Sequence, residues 1–311
     1  MIRLFFTAAL VSLACIANPA AAKELKSIGV TVGSLGNPFF VAIVRGVESQ
    51  AKLLNPHVKV TALSADYDLN KQFNQIDSFI SARVDMIVIN AADPKAIEPA
   101  VRRAQKAGIV VIAVDVSAAG ADATVQTDNV KAGAMACQHI VDKLQGKGNV
   151  IIENGPQVSA VIDRVNGCKS VLSKQPGIKV LSDDQDGKGS RDGGLSVMQG
   201  LLVRFPKIDG VFATNDPQAI GSDLAARQFK RTGIVITSVD GAPDIEVALK
   251  NKNSLISASA SQNPWAMARQ AVELGAGIVG GKRPEQPVLL IPPTLVTRDD
   301  VATYRGWATP Q

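Results

Sequence analysis

At 311 residues, with 46% hydrophobic and 20% charged content, the chain has the composition of a soluble α/β protein large enough for two lobes. Its net charge of +5 comes from scattered basic residues without interleaved aromatics, which excludes the usual pattern of a nucleic-acid binder. Aromatics are only 4% of the chain, so the adjacent pair Phe39 and Phe40 draws notice.

Residues 1–22 read as a signal peptide. Arg3 supplies the positive start, Leu4 to Ala17 is apolar, and Ala20-Ala21-Ala22 gives a small-residue cleavage site before Lys23. The stretch is short for a membrane span. Ser12 stands where a lipoprotein signal ending at Cys15 would carry Leu. The expectation is an exported protein, with no later span. Cys137 and Cys168 then remain, both on helical patterns. An oxidising compartment permits a disulfide, and two buried thiols fit equally well.

From Ser27 onward, short apolar runs alternate with helical spacing. Strands are expected at 27–33, 58–63, 85–90, 109–115 and 123–128, with helices at 38–54, 70–82 and 95–107 between them. A second series follows, with helices at 130–145, 160–174, 191–204 and 217–229. Its strands are expected at 149–154, 178–183, 209–215, 233–240 and 255–260. A helix at 265–280 and two apolar runs flanking Pro292-Pro293 complete the chain.

Continuous apolar strands alternating with helices imply parallel sheets covered on both faces. The strands are too many for one sheet, and the pattern restarts near 128. The expected fold is therefore α/β, with two doubly wound parallel-sheet lobes joined by a three-segment hinge. The N-terminal lobe takes 23–127 plus 262–289, and the C-terminal lobe 128–261 plus 290–311.

Ligands of open α/β sheets bind beyond the carboxyl ends of the strands. Those ends carry Asn37, Phe39 and Phe40, then Asn90, then Asp115 in the first series. In the second they carry Arg164, Asn215, Asp216, Asp240, Gln262 and Asn263. Carboxylates accept paired hydroxyls, amides donate and accept, and Arg donates a fork. An aromatic face would cover the apolar side of a sugar. Each residue alone has a plainer reading: Asp216 before Pro217 as a helix cap, Asp244 as a cap or first-turn acid, Arg164 as a surface charge. It is the coincidence of the set that points to a site.

Catalytic and metal patterns are missing. His57 and His139 are the only histidines, no nucleophile elbow is visible, and "GVTVGSLG" lacks dinucleotide spacing. "DQDGKGSRDGGL" (184–195) fails as a calcium loop, with Lys188 and Leu195 where oxygen ligands belong. No enzyme, metal or cofactor is expected.

The ordered motifs "NPFF" (37–40), "INAADPKAI" (89–97), "AVD" (113–115), "TDN" (127–129), "DRVNG" (163–167), "VMQGLL" (197–202), "VFATND" (211–216), "SVDGAPD" (238–244) and "SQNP" (261–264) span the mature chain. Together they resemble the periplasmic sugar-binding proteins of the ribose-binding type, receptors of ABC importers. The resemblance implies the type I periplasmic binding protein fold, a monomer, and a small sugar or polyol delivered to a membrane permease. It implies that Asn37, Phe39, Phe40 and Asp115 meet the ligand from the first lobe, with Arg164, Asn215 and Asp240 from the second and Gln262 at the hinge. Asn90 would support them.

Two positions depart from the ribose pattern: Val116 replaces an Arg and Gly189 an aromatic. Trp265 could restore the lost wall or simply pack its helix. A chemotaxis or signalling receptor and a secreted sugar-acting enzyme are the rival readings. The expected signal peptide, and the lack of a helix-turn-helix before Lys26, argue against a repressor.

Overall fold

The computed structural model describes residues 24–282 and 284–307, so the expected signal peptide lies outside the described residues. Among them no helix is long and apolar enough to cross a membrane.

The first sheet is built from β1 (Ser27–Val32), β2 (Lys59–Ser64), β3 (Met86–Ile89), β4 (Val110–Val114) and β5 (Ala123–Thr127). Between them run α1 (Pro38–Leu54), α2 (Leu69–Ser81) and α3 (Glu98–Lys106). The chain then passes to a second sheet through α4 (Asn129–Lys143), β6 (Lys147–Glu153), α5 (Ser159–Leu172), β7 (Gly177–Ser182) and α6 (Arg191–Arg204). It continues with β8 (Gly210–Ala213), α7 (Asp216–Gln228), β9 (Val235–Asp240), α8 (Pro243–Lys250) and β10 (Ile256–Ser261). Finally α9 (Pro264–Val279) returns to the first sheet, where β11 (Val288–Ile291) pairs with β5, and β12 (Thr294–Thr297) crosses back to pair with β10.

The strand orders are β2-β1-β3-β4-β5-β11 and β7-β6-β8-β9-β10-β12. Among the described residues all strand pairings are parallel except β10 with β12. The central strands β3 and β8 are buried along their whole length, which is why they read as unbroken apolar runs. Three connections cross between the sheets. Two lie after Thr127 and after Ser261. In the third, β11 stays registered with β5 through Ile291, so the chain crosses at Pro292-Pro293 rather than at 289/290. α3 also starts later than expected, because the Asp93 carboxylate takes the Lys95 and Ala96 N–H groups in a turn.

α4 and α5 meet backbone to backbone. A Cβ on Gly133 would stand 1.9 Å from the Arg164 carbonyl oxygen, and one on Gly167 2.0 Å from that of Val130. Cys137 and Cys168 are joined in a disulfide across this contact, with Cα atoms 5.1 Å apart. The lobes also touch across the cleft. Val158, Ala160 and Val161 share a buried cluster with Val116 and Ala118, and the Ser117 N–H donates to Ser159 Oγ at 2.8 Å. The two sheets are thus closed on one another, with their strand carboxyl ends facing inward.

Candidate functional site

Asn37 caps α1: its Oδ1 accepts the Phe39 N–H at 2.9 Å, and Pro38 opens the helix. This cap fixes the direction of two buried rings. Phe39 and Phe40 meet edge to face at 5.5 Å. Phe39 also meets Trp307 at 5.7 Å, and Phe40 meets Tyr67 at 6.3 Å, so four aromatics form one edge-to-face series.

Opposite the rings stands a charged cluster. Arg164 is only 4% exposed, as is Asp240. The Arg164 Nε donates to Asn129 Oδ1 at 2.9 Å and its Nη1 to the Thr214 carbonyl at 2.9 Å, while Asp240 Oδ1 lies 3.4 Å from Nη1. Gln262 Nε2 donates to that same Asp240 oxygen at 2.7 Å. Asp115, at φ 67°, receives the Asn90 Nδ2–H at 2.8 Å, and Asn90 Oδ1 accepts from the Gly33 N–H. Asn90 therefore holds Asp115 in place.

One guanidinium serves two carboxylates here. Burial pushes the Asp115 carboxyl up to about 7, with the Arg164 charge opposing and the Asp240 charge adding to the rise. Burial raises Asp240 as well, against the pull of Arg164. Behind them Asp216 is buried completely and raised to about 8 by desolvation and by Asp240.

Asp216 is not the cap that its place before Pro217 suggests. Asn215 caps α7 through the Gln218 N–H, and Asp216 instead accepts from Ser238, Ser259 and the Ala242 N–H. Asn215 has a second bond: its Nδ2 donates to the Gly189 carbonyl at 3.0 Å. Asp244 lies in the first turn of α8 and pairs with Arg191 at 3.2 Å. Arg164 is no surface charge, since α4 and the cleft enclose it.

These groups line one cavity of ≈ 50 Å³ between the lobes. Asn37, Phe39, Phe40, Asn90, Asp115, Arg164, Gly189, Asn215, Asp240 and Gln262 all face it. Trp265 does not: its ring lies over Gly46 and its Nε1–H donates to the Trp307 carbonyl at 2.7 Å, so it packs α9 onto α1. Sequence reasoning missed Tyr67, which closes the cavity beside Phe40. Tyr67 follows β2, so a look past the end of the second strand finds it. Val116 and Pro156 complete the wall near Asp115 and Gly189. Among the described residues no cluster of potential metal ligands occurs. What the arrangement offers is buried acceptors, one guanidinium and amides opposite aromatic faces, the chemistry of hydroxyl recognition.

The periplasmic binding protein domain matches residues 28–283. The chain is 34% identical over 270 residues to the ribose import binding protein of Bacillus subtilis, covering 86% of each. It is 34% identical over 300 residues to a xylitol-binding protein of Mycolicibacterium smegmatis, covering 93% of this chain and 82% of the relative. Among solved structures it superposes, with a TM-score of 0.84 and 27% identity, on an ABC transporter solute binding protein from Mycobacterium smegmatis with bound glycerol. That match covers 91% of this chain and 98% of the other. The two-lobe architecture is that of the type I periplasmic binding proteins, and the chain belongs to the periplasmic binding protein domain family, within it to the ribose-binding type.

Proposed function

We propose that the protein is the solute-binding receptor of an ABC importer, capturing a small neutral sugar or polyol (a pentose, a hexose or a sugar alcohol) in the interlobe cleft. The observation that carries this reading is the opposition of Arg164, Asp115 and Asp240 to Phe39 and Phe40 across one closed cavity. Asp115 and Asp240 accept ligand hydroxyls, and Arg164, Asn215, Asn37 and Gln262 complete the hydrogen bonding. Asn90 positions Asp115, and the aromatic faces cover the C–H side.

Binding and closure are one equilibrium. Each lobe supplies half the partners, so the ligand favours the closed state by its differential affinity for that state. The lobes are residues 24–127 plus 262–291 and 128–261 plus 292–307 of the described chain, and the three crossings act as the hinge. The receptor acts as a monomer in a Gram-negative periplasm and presents its closed form to a membrane permease. It carries out no turnover, and its two cleft carboxyls serve as hydrogen-bond acceptors.

Ribose itself fits the site poorly. Val116 offers no donor at the wall beside Asp115, and a ligand hydroxyl left unpaired there costs about 1–3 kcal/mol. A thermal-shift screen of pentoses, hexoses and alditols tests the assignment, because a ligand raises the melting temperature with its saturation. Calorimetry on Asp240→Ala should then show binding lost with the fold intact. Undiminished affinity in that variant would place the site elsewhere, and a mass change of the ligand on incubation would make the protein an enzyme.

A further inference from the structure

The closed cavity shares its outer wall with a second one. Asn37, Tyr67 and Gly189 line it, and the same three residues line a second chamber of ≈ 360 Å³ nearer the cleft mouth. Gly189 contributes no side chain to this partition. Its φ of +62° disfavours any L side chain, so the wall stays thin at this point. In the same shared wall the Tyr67 hydroxyl has no hydrogen-bond partner among the described residues.

The outer chamber holds little fixed charge. Arg191 is paired with Asp244, the buried Asp216 carboxyl is spent on Ser238, Ser259 and the Ala242 N–H, and Lys188 is a solvent-exposed side chain at the rim. Four helices begin here. Asn37, Ser190 and Asn215 each accept a first-turn N–H of their own helix, Pro38, Pro217 and Pro243 have none to give, and α8, which has no side-chain cap, carries the acids Asp244 and Glu246 in its first turn. The chamber is therefore poor ground for an anion. Its walls at Pro38, Pro217, Ile220 and Ala242 are apolar, with hydroxyls at Ser34 and Ser190 between them. That mixture of flat apolar surface and scattered hydroxyls suits a second neutral ring or a short aglycone.

We propose that the ligand is a sugar or polyol bearing a neutral, glycosidically linked extension. The first unit sits in the inner cavity, and the extension passes between Tyr67 and Gly189 into the outer chamber. The proposal rests on the receptor reading above and narrows its ligand class. Tyr67 is then a specificity-determining residue, its hydroxyl meeting the linkage region.

The test is calorimetry of the protein with free pentoses, hexoses and alditols beside their neutral methyl glycosides and disaccharides. At least one linked compound is expected to bind tenfold or more tightly than its free parent. Gly36→Trp, on an exposed loop of the outer chamber, should abolish that preference and leave the parent's affinity and the ligand-free melting temperature unchanged. Linked compounds binding no better than their parents would overturn the extended-ligand proposal and leave the receptor reading standing. A preference that survives Gly36→Trp would also overturn the outer-chamber assignment. If neither free nor linked sugars bind, the receptor reading itself fails.

Discussion

The Thr127 hydroxyl donates to Gln262 Oε1 at 2.7 Å, so residues at two of the three crossings between the sheets are bonded to each other. The other end of the same amide donates to Asp240 at 2.7 Å. One side chain thus joins the hinge to the cleft carboxylate. Gln262→Ala should leave a buried Asp240 oxygen and the Thr127 hydroxyl short of partners, costing about 1–3 kcal/mol. Ligand affinity should fall about fivefold or more, and small-angle scattering should show incomplete compaction on adding ligand. Unchanged affinity and compaction would remove Gln262 from both roles.

Among the described residues Arg164 is the cation that acts on both Asp115 and Asp240. Arg164→Met keeps much of the volume but strips the donors from Asn129, Thr214 and Asp240. Breaking one side of a buried pair costs about 3–5 kcal/mol. The loss should be larger at alkaline than at acid pH, because a proton on Asp240 relieves the uncompensated charge. Urea unfolding at two pH values reads this directly, and a penalty independent of pH would contradict it.

The cleft carboxyls also set a pH dependence for the ligand-free protein. Burial raises Asp115 to about 7 and Asp216 to about 8, both from 3.8, and raises Glu153, behind the Gly187 loop, from 4.5 to about 8. The folded state therefore keeps protons that the unfolded chain releases at lower pH. The stabilisation linked to these protons is complete below the unfolded values and is lost as pH rises through the folded ones. The melting temperature should fall between about pH 5 and about pH 8. Hydroxyls donating to Asp115 and Asp240 favour the charged forms, so ligand binding should release protons, detectable by calorimetry in buffers of different ionisation heat. A melting temperature that climbs over that range would show that these carboxyls are ionised in the ligand-free fold.

The strand-end rule located Asn37, Asp115, Arg164, Asn215, Asp240 and Gln262 because parallel topology forces all those ends to one side. What the sequence hides is which atoms each residue spends internally. Asn215 reads as either a cap or a ligand group, and it divides its two ends between α7 and Gly189. Asp216 looks like a cap, yet it is a buried acceptor for two serines from neighbouring strands, a tertiary arrangement that no local pattern encodes. Trp265 shows the opposite failure: its helix and its spacing from the cleft are legible, but its ring direction depends on the gap at Gly46 in a distant helix. The boundary at 289/290 missed because Pro292-Pro293, not the start of the apolar run, ends the β11 ladder.

The disulfide lies on the same helix pair that holds Arg164. Cys137 and Cys168 close a loop with a sequence separation of 31, for which chain entropy predicts about 3–4 kcal/mol of stabilisation. Replacing both by Ala should lower the melting temperature by several degrees, and a reducing agent should do the same to the parent protein but not to the variant. The effect should reach the cleft, because α5 carries Arg164 and α4 carries its partner Asn129. Ligand affinity should therefore drop modestly in the double variant. Gly133→Ala should drop it further, since a Cβ there drives the Arg164 backbone away from α4. Equal affinity in all three proteins would show that Arg164 is held by the Thr214 carbonyl and Asp240 alone, independently of the helix contact.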